Sequence, residues 1–96
     1  MPMTSAEMLS STVAALLHAT GESQSALAES LGMTQGAVSR KKRGANAWSL
    51  ADVDGLSRHF DIPVPDLMCG PTHAVEKLPR NRRAALIGGG QRVFAV

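Results

Sequence analysis

Residues 23–44 read SQSALAESLGMTQGAVSRKKRG, and the punctuation of this stretch decides the fold. Ser23 is placed to cap a helix, because a hydroxyl just outside the first turn accepts from amides that have no partner within it. Ala26, Leu27 and Leu31 then supply the buried side of a helix of about two turns, and Gly32 suits the left-handed residue that ends it. Thr34 repeats the capping chemistry before a further helix that begins at Gln35 and is closed by Gly44. Two short helices joined by a tight, Gly-containing turn have the spacing of a helix-turn-helix unit.

The second helix of this unit has an uneven surface. Val38 is its one clear apolar anchor, while Gln35, Gly36, Ser39, Arg40 and Arg43 fall on the face away from it. No Lys or Arg precedes Arg40, and Arg40-Lys41-Lys42-Arg43 then follow one another without a break. A helix so thinly anchored on one side and so polar on the other is built to present that side. Cations at a helix C-terminus also suit the dipole, so the charge run alone reads as a solvated face. Its place inside the two-helix spacing is what gives it meaning.

Outward from this unit, Thr4 or Ser5 caps a first helix whose Met8, Leu9, Val13, Leu16 and Leu17 recur near helical spacing until Thr20-Gly21. Ser49 caps a fourth helix, Leu50 to about Phe60, with Leu50, Val53, Leu56 and Phe60 as its apolar line and Asp52 favourable in its first turn. Trp48 is expected to cover the junction between the third and fourth helices. Pro65 is tolerated at the start of one last short helical turn, and Cys69-Gly70-Pro71 closes a helical domain over residues 1–70. Residues 71–96 read as an extension with a triple-glycine hinge and an apolar, β-prone end at Val93–Val96. That end is either a frayed tail or a short strand pairing with another chain.

Composition narrows the classes. Apolar residues make up 44% of the 96-residue chain and aromatics only 3%, so the core is built from Leu, Val, Ile, Met and Ala and an all-α fold is favoured over a sandwich or barrel. The net charge of +2 is mild; its clustering is more telling, with Arg40–Arg43 and Arg80, Arg82, Arg83 and Arg92 flanking Asp52, Asp54, Asp61 and Asp66. Cys69 is the single cysteine, and neither a secretory signal nor an apolar span of about 18 residues is present, so the chain reads as cytoplasmic. His18, His59 and His73 are scattered, and Cys69 with His73 lacks the remaining ligands of a zinc site, so no metal or other cofactor is expected. An enzyme is disfavoured: there are no paired carboxylates and no nucleophile with a base, and IGGGQ at residues 87–91 lacks the Lys-Ser/Thr of a phosphate loop.

Residues 23–68 together resemble the helix-turn-helix domains of phage repressors and Cro proteins, the XRE-like family. The resemblance is carried by Ser23-Gln24, Leu27-Ala28, Leu31-Gly32, Thr34-Gln35, Val38-Ser39-Arg40, Arg43-Gly44, Ser49-Leu50 and the ending near Leu67. It implies a five-helix domain that binds operator DNA in the host cytoplasm. It also implies that Gln24 touches a phosphate, that Gln35, Gly36, Ser39 and Arg40 face base edges, and that Arg43 and Asn46 touch backbone. The chain departs from the family where Lys41 replaces an apolar residue and Lys42 a frequently acidic one. Lys41 is expected to lay its stem on the core and direct its ammonium outward. Ala26 also stands where the family has the Glu of a capping box.

The physical case for duplex DNA stands beside the resemblance. A major groove admits one α-helix, and Gly36 and Ala37 let this one come close. Gln35 is suited to adenine and Arg40 to guanine, each bidentate pair being worth about 1–3 kcal/mol of discrimination. Thr34, Lys42 and Arg43 are suited to phosphates, which set register and affinity. One such unit reads few bases, so a homodimer on two half-sites is expected. Arg80, Arg82, Arg83, Val93, Phe94 and Val96 are candidates for secondary DNA contacts or for the dimer. No membrane or small-molecule partner is expected. The alternative is an antitoxin-type module whose C-terminal tail engages a partner protein, with DNA binding secondary.

Overall fold

The computed structural model describes residues 3–83. They form six α-helices, α1 (Ser5–Thr20), α2 (Gln24–Leu31), α3 (Gln35–Arg43), α4 (Leu50–Phe60), α5 (Val64–Leu67) and α6 (Pro71–Lys77), followed by a 3₁₀ turn over Arg80–Arg82. No strand is present among the described residues, and the all-α expectation holds. The end at Val93–Val96, read as a frayed tail or a strand, lies outside them.

The helix boundaries follow from local chemistry. Thr4 Oγ1 accepts from the Glu7 amide at 3.0 Å and Glu7 Oε1 from the Thr4 amide at 2.8 Å, a reciprocal capping box. Ser23 and Thr34 each accept from the amide three residues on, at 3.1 Å, and Ser49 makes a second box with Asp52. Gly32 at φ 72° and Gly44 at φ 85° end α2 and α3 in the left-handed region, where a Cβ would be strained. Asp61 does the same for α4 at φ 58°, a role its short polar side chain tolerates.

Leu9, Val13, Leu16 and Leu17 from α1, Leu27 from α2, Val38 from α3, and Val53, Leu56 and Phe60 from α4 close into one core with Ile62 and Leu67. Two expected core positions lie elsewhere. Ala26 is exposed and Ala28 takes its place, because the phase set by the Ser23 cap turns Leu27 and Ala28 inward together. Leu50 is 84% exposed. It lies about 90° around the helix from the arc shared by Val53, Leu56 and Phe60, and as the first residue of α4 it has no preceding turn to pack on. Gly55 shows how closely α2 sits on α4: a Cβ there would come within 2.7 Å of Leu31 Cδ2.

The body continues past residue 70. Pro71 opens α6, which lies along α1 and buries Ala74 and Leu78 completely or nearly so. Gly70 approaches the same helix, its ideal Cβ position being 3.6 Å from Met8 Sδ. With only Ala74, Val75 and Leu78 as an apolar signal, this helix is stabilised mainly by the surface it covers.

Candidate nucleic-acid interface

α3 is held from three sides. Val38 is fully buried beneath it. From α1, the Ser10 hydroxyl donates to the Lys41 carbonyl at 3.0 Å and accepts from the Trp48 indole N–H at 3.1 Å. Trp48 therefore ties the α3–α4 junction to α1 as well as covering it. From α4, the Asp52 carboxylate pairs with the Lys41 ammonium.

Lys41 departs from its expected placement. Its ammonium turns inward, donating to Asp52 and to the Ala47 carbonyl at 3.2 Å and lying 5.9 Å from the centre of the Trp48 ring. A carboxylate, a carbonyl and an aromatic face together outcompete solvent for that charge. Burial of Asp52 works against its ionisation, but hydrogen bonds from Lys41 and Ser49 and the nearby Lys41 charge outweigh it, so its carboxyl titrates below the ordinary carboxylate value.

Away from these contacts, Thr34, Gln35, Arg40 and Arg43 are exposed and Gly36 and Ser39 are half-buried. Thr34 Oγ1 already accepts as the α3 cap, which leaves its O–H free to donate. Arg43 folds back so that Nε reaches the Ser39 carbonyl at 3.4 Å. Lys42 donates to Gln24 Oε1 at 2.8 Å, joining across the helix-turn-helix two residues expected separately on phosphates. Gln24 is neutral, so the Lys42 charge is retained, and no carboxylate pairs with Arg40, Lys42 or Arg43 among the described residues. Asn46 is exposed in the loop after α3.

The C-terminal arginines separate. Arg82 pairs with Glu22 at 3.0 Å and donates to the His59 carbonyl at 2.6 Å. Arg83 donates to the carbonyls of Val75 and Glu76 at 3.0 and 2.8 Å. Both fasten the 3₁₀ turn to the body, whereas Arg80 is exposed. Val93, Phe94 and Val96 lie outside the described residues.

Two features escaped the sequence reading. One is the support of α3 by Ser10 and Asp52, for which the sequence signals only Trp48 at the α3–α4 junction and Asp52 in the first turn of α4. The other is an open cleft of about 600 Å³ between the start of α1 and the end of α3, with Glu7, Ser11, Lys42, Arg43 and Trp48 among its walls. Among the described residues no helix is long and apolar enough to cross a membrane.

Against known families, residues 4–87 match the BetR domain. No curated protein and no solved structure matches the chain. The matched span covers most of the sequence and takes in α1 to α6, so the chain belongs to the BetR domain family, a helix-turn-helix-like group of DNA-binding domains.

Proposed function

Starting from a BetR-family domain with this α3 surface, we propose that the protein is a sequence-specific regulator of transcription. In this reading it is a cytoplasmic homodimer of the phage or prophage repressor or Cro-like kind, reading one operator half-site with α3 of each copy. The observation that carries this is the two-sidedness of α3. Val38 and Lys41 are committed inward, while Gln35, Arg40 and Arg43 stand exposed without a carboxylate partner among the described residues.

Each role follows from position. The N-terminus of α3 brings free amides and partial positive charge to a phosphate beside Thr34. Gly36 and Ala37 are small enough for the helix to sit deep, so that Gln35, Ser39 and Arg40 reach base edges. The Gln24–Lys42 pair presents a cation and amide protons at the α2 side, and Arg43 presents a second cation at the far end of α3; both are suited to backbone.

Selection of bound duplexes from a random pool tests the proposal. Enrichment of an inverted repeat with half-site centres about one helical turn apart supports it. Recovery of sequences no better bound than the starting pool, at any salt concentration that permits binding, overturns it.

A further inference from the structure

We propose that Asn46 is a positioning residue for Arg40, clamping its guanidinium so that the two terminal nitrogens read one base; this rests on the reading of Arg40 as a base-contacting residue. The resemblance places Asn46 on the DNA backbone. The geometry gives it a different task.

The placement begins with Gly44. Its left-handed conformation turns the chain back on α3, so that the Gly44 amide donates to the Lys41 carbonyl at 3.1 Å and the Ala45 amide to the Arg40 carbonyl at 2.9 Å. The Asn46 amide reaches the same Arg40 carbonyl at 3.4 Å. A residue two beyond the glycine is thereby brought beside a residue four before it. The Asn46 side-chain amide lies between Arg40 Nε and the Ala45 carbonyl, and only the orientation with its oxygen toward Arg40 matches donors to acceptors; in that orientation Asn46 accepts from Arg40 Nε at 3.2 Å and its amide nitrogen donates to the Ala45 carbonyl at 3.0 Å. Both ends of the Asn46 amide are then engaged, which fixes the oxygen on Nε.

The guanidinium lies back along α3 over Gly36. Arg40 Nη1 is 3.4 Å from the position a Cβ would take at residue 36, so the guanidinium rests close against the α3 backbone at Gly36. With Nε held by Asn46, the free donors are those on Nη1 and Nη2. These form a fork matched to O6 and N7 of a guanine. Arginine has a long, rotamer-rich side chain, and fixing its middle before DNA arrives reduces the freedom lost on contact. The spacing Arg40, Gly44, Asn46 thus encodes a preorganised reader.

Two measurements on the full chain test this. In the DNA-free protein, the Arg40 Nε–H resonance should shift and exchange faster in Asn46→Ala, and Asn46→Asp, which keeps an acceptor, should retain its protection. In competition binding, Arg40→Ala identifies the base pair that Arg40 reads. Asn46→Ala should then lower the preference at that pair about three- to tenfold, the scale of one hydrogen bond, with affinity for scrambled duplex within about twofold of wild type. Asn46→Asp should keep the preference while weakening every duplex, because it adds a negative charge near phosphates.

Equal weakening of operator and scrambled duplex by Asn46→Ala makes Asn46 a backbone contact and overturns the clamp. An Arg40 Nε–H signal indifferent to Asn46 overturns it as well. Should Arg40→Ala leave every base preference intact, the base-reading role itself fails and the positioning role goes with it, whatever the resonance shows.

Discussion

Arg40 and Lys41 are neighbours with the same charge, yet one is exposed on the outer face of α3 and the other has its ammonium among Asp52, the Ala47 carbonyl and Trp48. One residue along a helix is a rotation of about 100°, and here that rotation separates an exposed face, the one proposed to read DNA, from a structural support. The run Arg40–Arg43 is therefore not a uniform basic patch. Its inward lysine anchors a helix with a single buried apolar residue, Val38, and its outward arginines depend on that anchoring for their direction. The substitutions that probe this division separate stability from recognition.

The largest effect is expected from Val38→Ala. Removing two methyl groups from the only buried side chain of α3 should cost about 2–3 kcal/mol of stability, measured by denaturant unfolding. Operator and scrambled duplexes should weaken together where the domain begins to unfold. Arg40→Ala is the counterpart on the outer face. It should lose about 1–3 kcal/mol of discrimination at one base pair while unfolding stays within about 0.5 kcal/mol of wild type. An Arg40→Ala variant that lost stability and kept discrimination would invert the assignment of the two faces.

Lys41→Ala should cost about 1–2 kcal/mol of stability, since it strips a largely buried carboxylate of its charged donor, and base preference should stay unchanged. The same pair gives a smaller, pH-dependent effect. The Asp52 carboxyl titrates below its ordinary value in the folded protein, so the unfolded chain binds that proton more readily. The stabilisation is complete above the ordinary carboxylate range of about pH 4 and is lost as pH falls through the lowered folded value. The stability difference between wild type and Asp52→Asn should accordingly shrink as the pH is taken from 6 to 3. A difference that grew on acidification would mean that burial, and not Lys41, governs this carboxyl.

What was legible in the sequence shares the scale of these local effects. The caps at Ser23, Thr34 and Ser49 and the stops at Gly32 and Gly44 involve residues within one turn of each other, so residue type and spacing suffice to read them. Leu50 was misread because an apolar residue at helical spacing looks the same whether or not another element covers it. α6 was missed because its signal is the complementary surface of α1, and apolar spacing within seven residues is thin. The outer face of α3 followed from Val38 and helix geometry alone. The fate of Lys41 did not, because it depends on Asp52 from α4, on Trp48, and on a backbone held by Ser10 from α1.

The finest division lies between Lys41 and Lys42, and salt dependence resolves it. DNA binding releases roughly one counterion for each phosphate charge neutralised, and each such contact adds about one unit to the slope of log K against log salt. Lys42 donates to a neutral amide, Gln24 Oε1, and so keeps a full charge to offer. Lys41 is already neutralised by Asp52. Lys42→Ala should flatten the slope by up to about one unit and weaken all duplexes alike, Gln24→Ala should lower affinity at constant slope, and Lys41→Ala should leave the slope as it is. Equal flattening by the two lysine variants would mean that the Asp52 pair opens when DNA binds. The inner lysine would then belong to the same surface as its neighbours.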